Sequence, residues 1–228
     1  GSTDDTELVV KRYTDARIRY LKIPNSERGA ARNFGAEMAN GTYFNFFDSD
    51  DKMLPNHLEV AYSFLKKERS QWFHTAYCIQ DENGNILTNE YGQERNPERR
   101  LIETNYLGCD SVFIHRNLYF QTKFDSNRIL ASSEDWELWL RVISIAPLAV
   151  CPVVTLNMVN HANRSLLTIS PDRVIERDMY MLHSLLRNDD FKRKFKDYLA
   201  IFEADRYTFF SLSLIIAARR SESLHYLV

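Results

Sequence analysis

The chain has 228 residues, enough for one sizeable domain or one domain with an extension. Apolar residues make up 44% of it and aromatic residues 13%, a composition that predicts a packed core and excludes an intrinsically disordered protein. The formal net charge of −2 excludes the strongly basic surface that nucleic-acid binding needs.

The first part of the chain predicts strands that alternate with helices. Residues 16–23 (ARIRYLKI) alternate apolar and polar side chains, as a short strand does. A helix rich in small residues follows and stops near Gly41. Residues 42–47 (TYFNFF) form an aromatic run with few polar interruptions, which is typical of a central strand buried on both faces. Pro55 then occupies a favoured first position of another helix.

The middle of the chain continues this alternation. Residues 72–80 predict a strand, and the turn DENGN at 81–85 returns it as a hairpin. Residues 111–116 predict a further strand, and residues 132–144 predict a helix that begins with a capping pattern. Residues 148–159 predict either a strand pair or one bent strand.

The remainder, from Pro171 onward, has helical apolar spacing, and residues 207–218 predict a buried helix. A basic cluster within residues 185–198 is either a solvated helix face or a contact with anionic lipid headgroups. The whole pattern predicts an α/β fold with a mostly parallel sheet. Residues 1–170 are expected to form one domain, and residues 171–228 a C-terminal helical extension.

The cysteines and the apolar runs of the sequence indicate the cellular compartment of the protein. Cys78, Cys109 and Cys151 are odd in number, far apart and set in apolar surroundings, and no CxxC occurs. This pattern argues against a disulfide framework or a zinc site and favours a reducing compartment. No signal peptide is visible, and no apolar run reaches the ~18 residues of a transmembrane helix. We therefore expect a cytoplasmic protein.

Three acids directly follow the aromatic strand, at Asp48, Asp50 and Asp51. Ligands of open α/β sheets bind beyond the carboxyl ends of the strands. Asp48 and Asp50 lie two residues apart, so in extended backbone both carboxylates face one side, where they suit a hard cation such as Mg²⁺ or Mn²⁺. The alternative is a solvated loop in which Asp48 or Asp51 caps the helix after Pro55.

Two helices carry further candidate residues. In GAARNFG, Arg32 and Asn33 project from a helix of small residues, where an arginine neutralises a phosphate or stacks on a base. In SSEDWELWLR, Glu134 and Asp135 open an amphipathic helix and are candidates for a general base. The alternatives are tight helix packing for the first motif and a favourable macrodipole interaction for the second.

The stretch NMVNHANRSLLTIS holds two more candidates. His161 and Arg164 follow an apolar strand, where the imidazole suits a metal ion and the guanidinium suits a phosphate. The alternative for both residues is ordinary polar surface.

The order of these motifs resembles that of bacterial family 2 glycosyltransferases of the GT-A fold. GSTDDT, the stretch from Arg17 to Asp51, SSEDWELWLR and NHANRSL carry the resemblance, which covers residues 1 to about 170. It implies transfer of a sugar from a nucleotide-diphosphate donor to an acceptor hydroxyl, with inversion at the anomeric carbon. The acceptor is expected to be a glycan or lipid-linked glycan in cell-surface polysaccharide synthesis, at the cytosolic membrane face.

The resemblance also implies roles on the donor side of the site. Asp48 and Asp50 match the DxD motif, with Asp48 near the ribose and metal and Asp50 as ligand of Mn²⁺ or Mg²⁺. Arg32 matches an arginine that lines the nucleotide pocket. His161 resembles a loop histidine that approaches the metal or diphosphate, and Arg164 is expected to assist it.

On the acceptor side, Asp135 matches the acid that acts as general base, with Glu134 beside it. Trp136 is either a platform for an acceptor sugar or part of the core, and Trp139 is assigned to the core.

One departure from the family pattern concerns the start of the chain. Relatives begin with a strand, a helix and a second strand before a DDGS-type turn, whereas this chain begins at GSTDDT. Either residues 1–3 are the end of that turn, or Gly1 and Ser2 are a cloning remnant that resembles it. A shortened domain would expose a sheet edge and favour pairing with a second copy. It also raises the alternative of a non-catalytic nucleotide-sugar-binding module. A phosphoryl-transfer enzyme is disfavoured because no Gly-rich P-loop occurs.

Overall fold

A computed structural model describes residues 1–91, 96–161, 170–216 and 219–226. In these residues, a mixed sheet carries helices on both faces. The strands are β1 (Tyr43–Phe44), β2 (Lys52–Met53), β3 (Trp72–Asp81), β4 (Ile86–Tyr91), β5 (Val112–His115) and β6 (Ala149–Asn160). The helices are α1 (Thr6–Val10), α2 (Arg28–Met38), α3 (His57–Glu68), α4 (Pro97–Glu103), α5 (Arg116–Thr122), α6 (Glu134–Ile145), α7 (Pro171–Arg187), α8 (Asp189–Lys194), α9 (Leu199–Ile216) and α10 (Arg220–Ser223).

The strand order is β1-β5-β3-β6-β2, and β4 pairs with β3. The α/β class is confirmed, but the expectation of a mostly parallel sheet is wrong for the described strands. Only β3 and β6 pair in parallel there, and the other pairings are antiparallel. The β4 strand returns from β3 through a tight hairpin and is therefore antiparallel to it. The β6 strand follows β3 only after a long connection that contains β4, β5 and helices α4 to α6, which leaves room for a parallel pairing.

Alternate residues of the central strands face opposite helix layers. Trp72 of β3 and Ile114 of β5 belong to the larger core, under α2, α5 and α6. Their neighbours Phe73 and Phe113 point to the other face, where their rings stack at 5.0 Å near Ala61 of α3. The larger core therefore supports α6, whose first turn carries the predicted base.

Two predicted strands differ from the structure. Residues 16–23 form no strand, and Ile18 and Leu21 remain 45% and 42% exposed. Alternation stabilises a strand only beside a partner, and no described strand pairs with this segment. The run at 42–47 pairs only over β1, which ends the described sheet rather than lying at its centre. Beyond β1, the Asn45 side chain donates to the carbonyl oxygens of Asp110 and Val112 at 2.7 and 3.0 Å and takes the place of ladder hydrogen bonds.

The C-terminal helices pack on α6. Leu182 and Leu185 of α7 and Phe191 of α8 are fully buried and belong to the same core as α6. The division of the chain at residue 170 remains a prediction. The expected buried helix at 207–218 lies largely within α9, where burial is confined to one side: Ile216 is 85% exposed.

The basic side chains of α8 lie among acids. Lys192 and Arg193 pair with aspartates one turn earlier, and Lys194 pairs with Glu98. These pairs agree with a solvated helix face, and a lipid contact remains a prediction. None of the helices in the described ranges is long and apolar enough to cross a membrane.

The core beneath α6 gives a stability prediction. The Trp139 side chain is fully buried, stacks on Trp72 at 5.9 Å and donates Nε1–H to the Leu107 carbonyl oxygen at 3.2 Å. We expect Trp139→Ala to lower the free energy of unfolding by ~3–5 kcal/mol, measured by denaturant titration. Ile201→Ala, at a side chain that is 67% exposed, should stay within ~0.5 kcal/mol of the parent. Equal denaturant midpoints of unfolding for the two variants would contradict the buried position of Trp139 in the core.

Candidate active site

A cleft of about 450 Å³ opens beside the acidic loop that follows β1. The acidic loop, the first turn of α6 and the end of β6 all contribute to its walls, so they bring together residues far apart in sequence. Its charged lining side chains include Arg28, Arg32, Asp48, Asp50, Asp51, Arg100, Asp110, Glu134, Asp135 and His161.

Arg32 of α2 joins the two acidic motifs. Its side chain is 11% exposed, its Nη2 donates to Asp48 Oδ1 at 2.7 Å, and its Nη1 donates to Glu134 Oε1 at 2.8 Å. Gly29 lets α2 approach closely, since a β-carbon there would lie 2.9 Å from the Asp125 carbonyl oxygen. The small residues of GAARNFG thus serve both suggested purposes: they permit close packing and bring an arginine to the cleft.

Glu134 is committed to this ion pair. It is 5% exposed, its Oε1 also lies 3.3 Å from Nε of Arg28, and its Oε2 accepts the Ser132 backbone N–H at 2.8 Å. Because both carboxylate oxygens already have partners, Glu134 organises the site rather than offering a free proton acceptor.

Asp135 has a different environment. Its Oδ1 accepts the Trp136 backbone N–H at 2.7 Å and Nδ2–H of Asn105 at 3.1 Å. Burial raises the pKa of Asp135 to about 6, and the negative charge of Glu134 acts in the same direction. A carboxyl group with this pKa is largely ionised at neutral pH and is a stronger base than an ordinary aspartate.

Asp50 and His161 come together at the other side of the cleft. Nε2 of His161 lies 3.1 Å from Asp50 Oδ2, across 111 residues of sequence. The Asp50 side chain is 61% exposed, so its carboxylate faces solvent. The structure therefore places these two predicted metal ligands side by side.

Asp50 and His161 offer a divalent cation one carboxylate and one imidazole. Within the described ranges, no group of three or more His, Cys, Asp or Glu side chains is arranged to hold a metal ion. Mg²⁺ and its relatives commonly take one or two protein carboxylates and complete their shell with substrate phosphates and water. Asp50 with His161 fits that incomplete kind of site, whereas Asp48 is already paired with Arg32.

Asp51 has a role other than the expected one. Its Oδ1 accepts the backbone N–H of Val159 in β6 at 2.7 Å, and α3 begins after Asn56 without a side-chain cap. Asp51 therefore ties the acidic loop to the sheet, and the interpretation of Asp51 or Asp48 as a helix cap is wrong.

Two other predicted site residues, Asn33 and Trp136, have structural roles, and a third cannot be placed in the cleft. Asn33 faces the protein interior: its Nδ2 donates to the Phe124 carbonyl oxygen at 2.9 Å and its Oδ1 accepts the Tyr119 hydroxyl at 2.6 Å, so its amide is used in packing. Trp136 is 6% exposed and donates to a backbone carbonyl, which favours the core interpretation over a sugar platform. Arg164 lies outside the described residues.

Several cleft residues had no signal in the sequence. Asp110 lies in a 3₁₀ turn before β5, and burial raises its pKa to about 8, with the charges of Asp48 and Asp51 adding to the effect. Asn105, Arg28 and Cys109 also line the cleft. Asn105 and Cys109 lie in a segment without a readable motif, and Arg28 was not singled out within the stretch that carries the resemblance, so the fold identifies all three. The apolar surroundings expected for Cys109 are confirmed, since its side chain belongs to the buried core and burial raises the pKa of its thiol.

Comparison with known proteins gives the family. The profile described as "Glycosyl transferase family 2" matches residues 1–125, more than half of the chain. The chain belongs to glycosyl transferase family 2. An uncharacterized glycosyltransferase of Rickettsia bellii is 32% identical over 147 residues, which cover 63% of this chain and 21% of that protein.

A relative with a named activity and a solved structure of the same fold are also similar to this chain. The Escherichia coli enzyme WfgD, a UDP-Glc:α-D-GlcNAc-diphosphoundecaprenol β-1,3-glucosyltransferase, is 28% identical over 143 residues, covering 62% of this chain and 54% of WfgD. The crystal structure of S. aureus TarS 1–349 in complex with UDP-GlcNAc superposes with a TM-score of 0.70 at 21% identity, covering 92% of this chain and 64% of that one. This likeness confirms the GT-A-like fold. The chain spans from about a fifth to about half of the curated relatives described.

The Arg32 bridge gives a second prediction. Arg32→Met should lower the free energy of unfolding by ~3–5 kcal/mol, because it leaves the buried Glu134 carboxylate without its main partner. Adding Glu134→Gln should restore part of the loss, since the unpaired charge is then gone. Denaturant titration measures both, with Arg17→Met at the exposed Arg17–Asp15 pair as the control, expected within ~1 kcal/mol of the parent. A double variant less stable than Arg32→Met would count against the bridge.

Proposed function

We propose that this family 2 glycosyltransferase transfers a sugar from a nucleoside-diphosphate donor to an acceptor hydroxyl, with inversion. The observation that carries the proposal is one cleft with Asp50 and His161 on one side and Asp135 on another. The uridine-diphosphate ligands of the TarS complexes and the UDP-glucose donor in the name of WfgD support a uridine-diphosphate sugar as donor.

The donor diphosphate is assigned to the side of Asp50 and His161. These two residues would hold a divalent cation, Mn²⁺ or Mg²⁺, which when bound neutralises charge on the departing diphosphate. Asp48, held by Arg32, faces the same space and is suited to the ribose. The arginine itself lies within reach of a phosphate from a fixed position, because α2 and two carboxylates hold its guanidinium.

Asp135 is assigned the proton-accepting role. Two donors occupy its Oδ1, which leaves Oδ2 to take the proton of the attacking hydroxyl. Its raised pKa suits that transfer near neutral pH. Asn105 belongs to this arrangement, since it orients the carboxylate while its hydrogen bond lowers the pKa.

The acceptor is proposed as a glycan or a lipid-linked glycan at the cytosolic membrane face. Support comes from the names of two relatives: WfgD, named as an α-D-GlcNAc-diphosphoundecaprenol glucosyltransferase, and TuaG of Bacillus subtilis, named as a putative teichuronic acid biosynthesis glycosyltransferase.

Donor binding gives the third prediction. Calorimetry should detect UDP binding that Mn²⁺ strengthens, and Asp50→Ala should remove the Mn²⁺ effect because the carboxylate beside His161 is lost. Asp197→Ala, at an exposed acid that does not line the cleft, is the matched control and should bind as the parent does. No UDP binding by the parent under any metal condition would defeat the donor assignment. A Mn²⁺ effect that survives Asp50→Ala would place the ligand elsewhere.

The base assignment gives the fourth prediction. The rate of sugar transfer should rise with pH through about 6, because Asp135 must be ionised to accept a proton. Asp135→Asn should lower kcat by about 10²–10⁴-fold with UDP binding intact. Asn105→Ala should move the midpoint of the pH profile upward, since it removes a hydrogen bond that lowers the pKa. An unshifted profile, or near-normal kcat in Asp135→Asn, would reject this assignment; if UDP binds without transfer to any acceptor, the non-catalytic binding module becomes the better description.

A further inference from the structure

Asp110 is a buried acid for which the proposed reaction has no direct use. Its residue is 1% exposed, and it sits in the 3₁₀ turn Cys109–Ser111 that leads into β5. Burying a carboxyl group is costly unless hydrogen bonds compensate for the lost water. Its partners therefore indicate what it does.

Those partners flank Asp50 on both sides. A carboxyl oxygen of Asp110 accepts the backbone N–H of Asp48. The same carboxyl group, when protonated, donates a hydrogen bond to the side chain of Asp51. Asp51 in turn accepts the Val159 backbone N–H in β6 at 2.7 Å. The loop is thus held two residues before Asp50 and one residue after it.

The turn that carries Asp110 is itself held in place. Nδ2 of Asn45 donates to the Asp110 carbonyl oxygen at 2.7 Å. A β-carbon at Gly108 would lie 2.8 Å from Cε of Met158, so the turn packs closely against β6. Asp110 therefore extends from a fixed support toward the loop.

We propose that Asp110 is a positioning residue for the proposed cation site: by holding Asp48 and Asp51, it keeps Asp50 facing His161. The inference rests on the proposed function, because it assigns Asp110 a role in cation binding. Asp110 acts through the loop and touches neither Asp50 nor His161 through any described hydrogen bond or ion pair.

The chain offers a matched pair of variants. Asp110→Asn keeps an acceptor for the Asp48 N–H and a donor for Asp51, whereas Asp110→Ala removes both. Asp51→Ala removes the Asp51 partner of Asp110 and replaces Asp110→Ala in the experiment if that variant does not fold. Leu185→Ala, in the core beneath α6, is a control for general loss of stability.

The first measurement is hydrogen exchange in a peptide that spans residues 46–53. Asp110→Ala and Asp51→Ala should raise its exchange rate about tenfold, while Asp110→Asn and Leu185→Ala should leave it within about threefold of the parent. This readout needs no ligand, so it tests the hold on the loop even if the proposed function fails. Unchanged exchange in both alanine variants, or an equal rise in Leu185→Ala, would overturn the inference.

The second measurement is the Mn²⁺ concentration needed for half-maximal UDP binding. It should rise about 10- to 100-fold in Asp110→Ala and stay near the parent value in Asp110→Asn. A parent that binds no UDP rejects the proposed function and with it the cation role of Asp110. Normal Mn²⁺ dependence in Asp110→Ala, in a parent that does bind, rejects the positioning role alone.

Discussion

The site depends on one guanidinium held between two carboxylates. Arg32 approaches Asp48 at 2.7 Å and Glu134 at 2.8 Å, so one side chain of α2 contacts both the acidic loop and the first turn of α6. Taking such charges out of water costs several kcal/mol per ion, and an apolar replacement often gives equal stability. The two ion pairs of Arg32 are therefore better explained by geometry than by stability. The planar guanidinium fixes the distance between the acidic loop and the first turn of α6.

That bridge also separates the roles of neighbouring acids. Glu134 and Asp135 are adjacent in sequence, yet the first lies against Arg32 and Arg28 while the second meets the amide of Asn105. Burial raises the pKa of Asp135, and the negative charge of Glu134 acts in the same direction, whereas the positive charge of Arg32 acts against both. Two adjacent carboxylates thus have different partners, and only Asp135 keeps an oxygen without a described hydrogen bond.

Local features were predictable from the sequence, and long-range pairings were not. The helix at 132–144, the hairpin at 81–85 and the acidic loop all follow from residues within a few positions of one another. The strand expected at 16–23 failed because alternation says nothing about whether a partner strand exists. Asp110 was missed because its meaning comes from contacts about 60 residues away.

Asp50 is exposed and Asp110 is buried, and this difference agrees with cation binding for the first and loop positioning for the second. Asp50 has a side chain that is 61% exposed, so a cation bound there would keep some of its water and exchange it for phosphate oxygens. Asp110 is buried against the same loop, and its hydrogen bonds restrain the backbone on each side of Asp50. A ligand that must face solvent cannot be fixed by packing around its own side chain. Its position can still be fixed in advance if hydrogen bonds restrain the residues beside it. In the loop between β1 and β2, the hydrogen bonds of Asp48 and Asp51 provide this restraint.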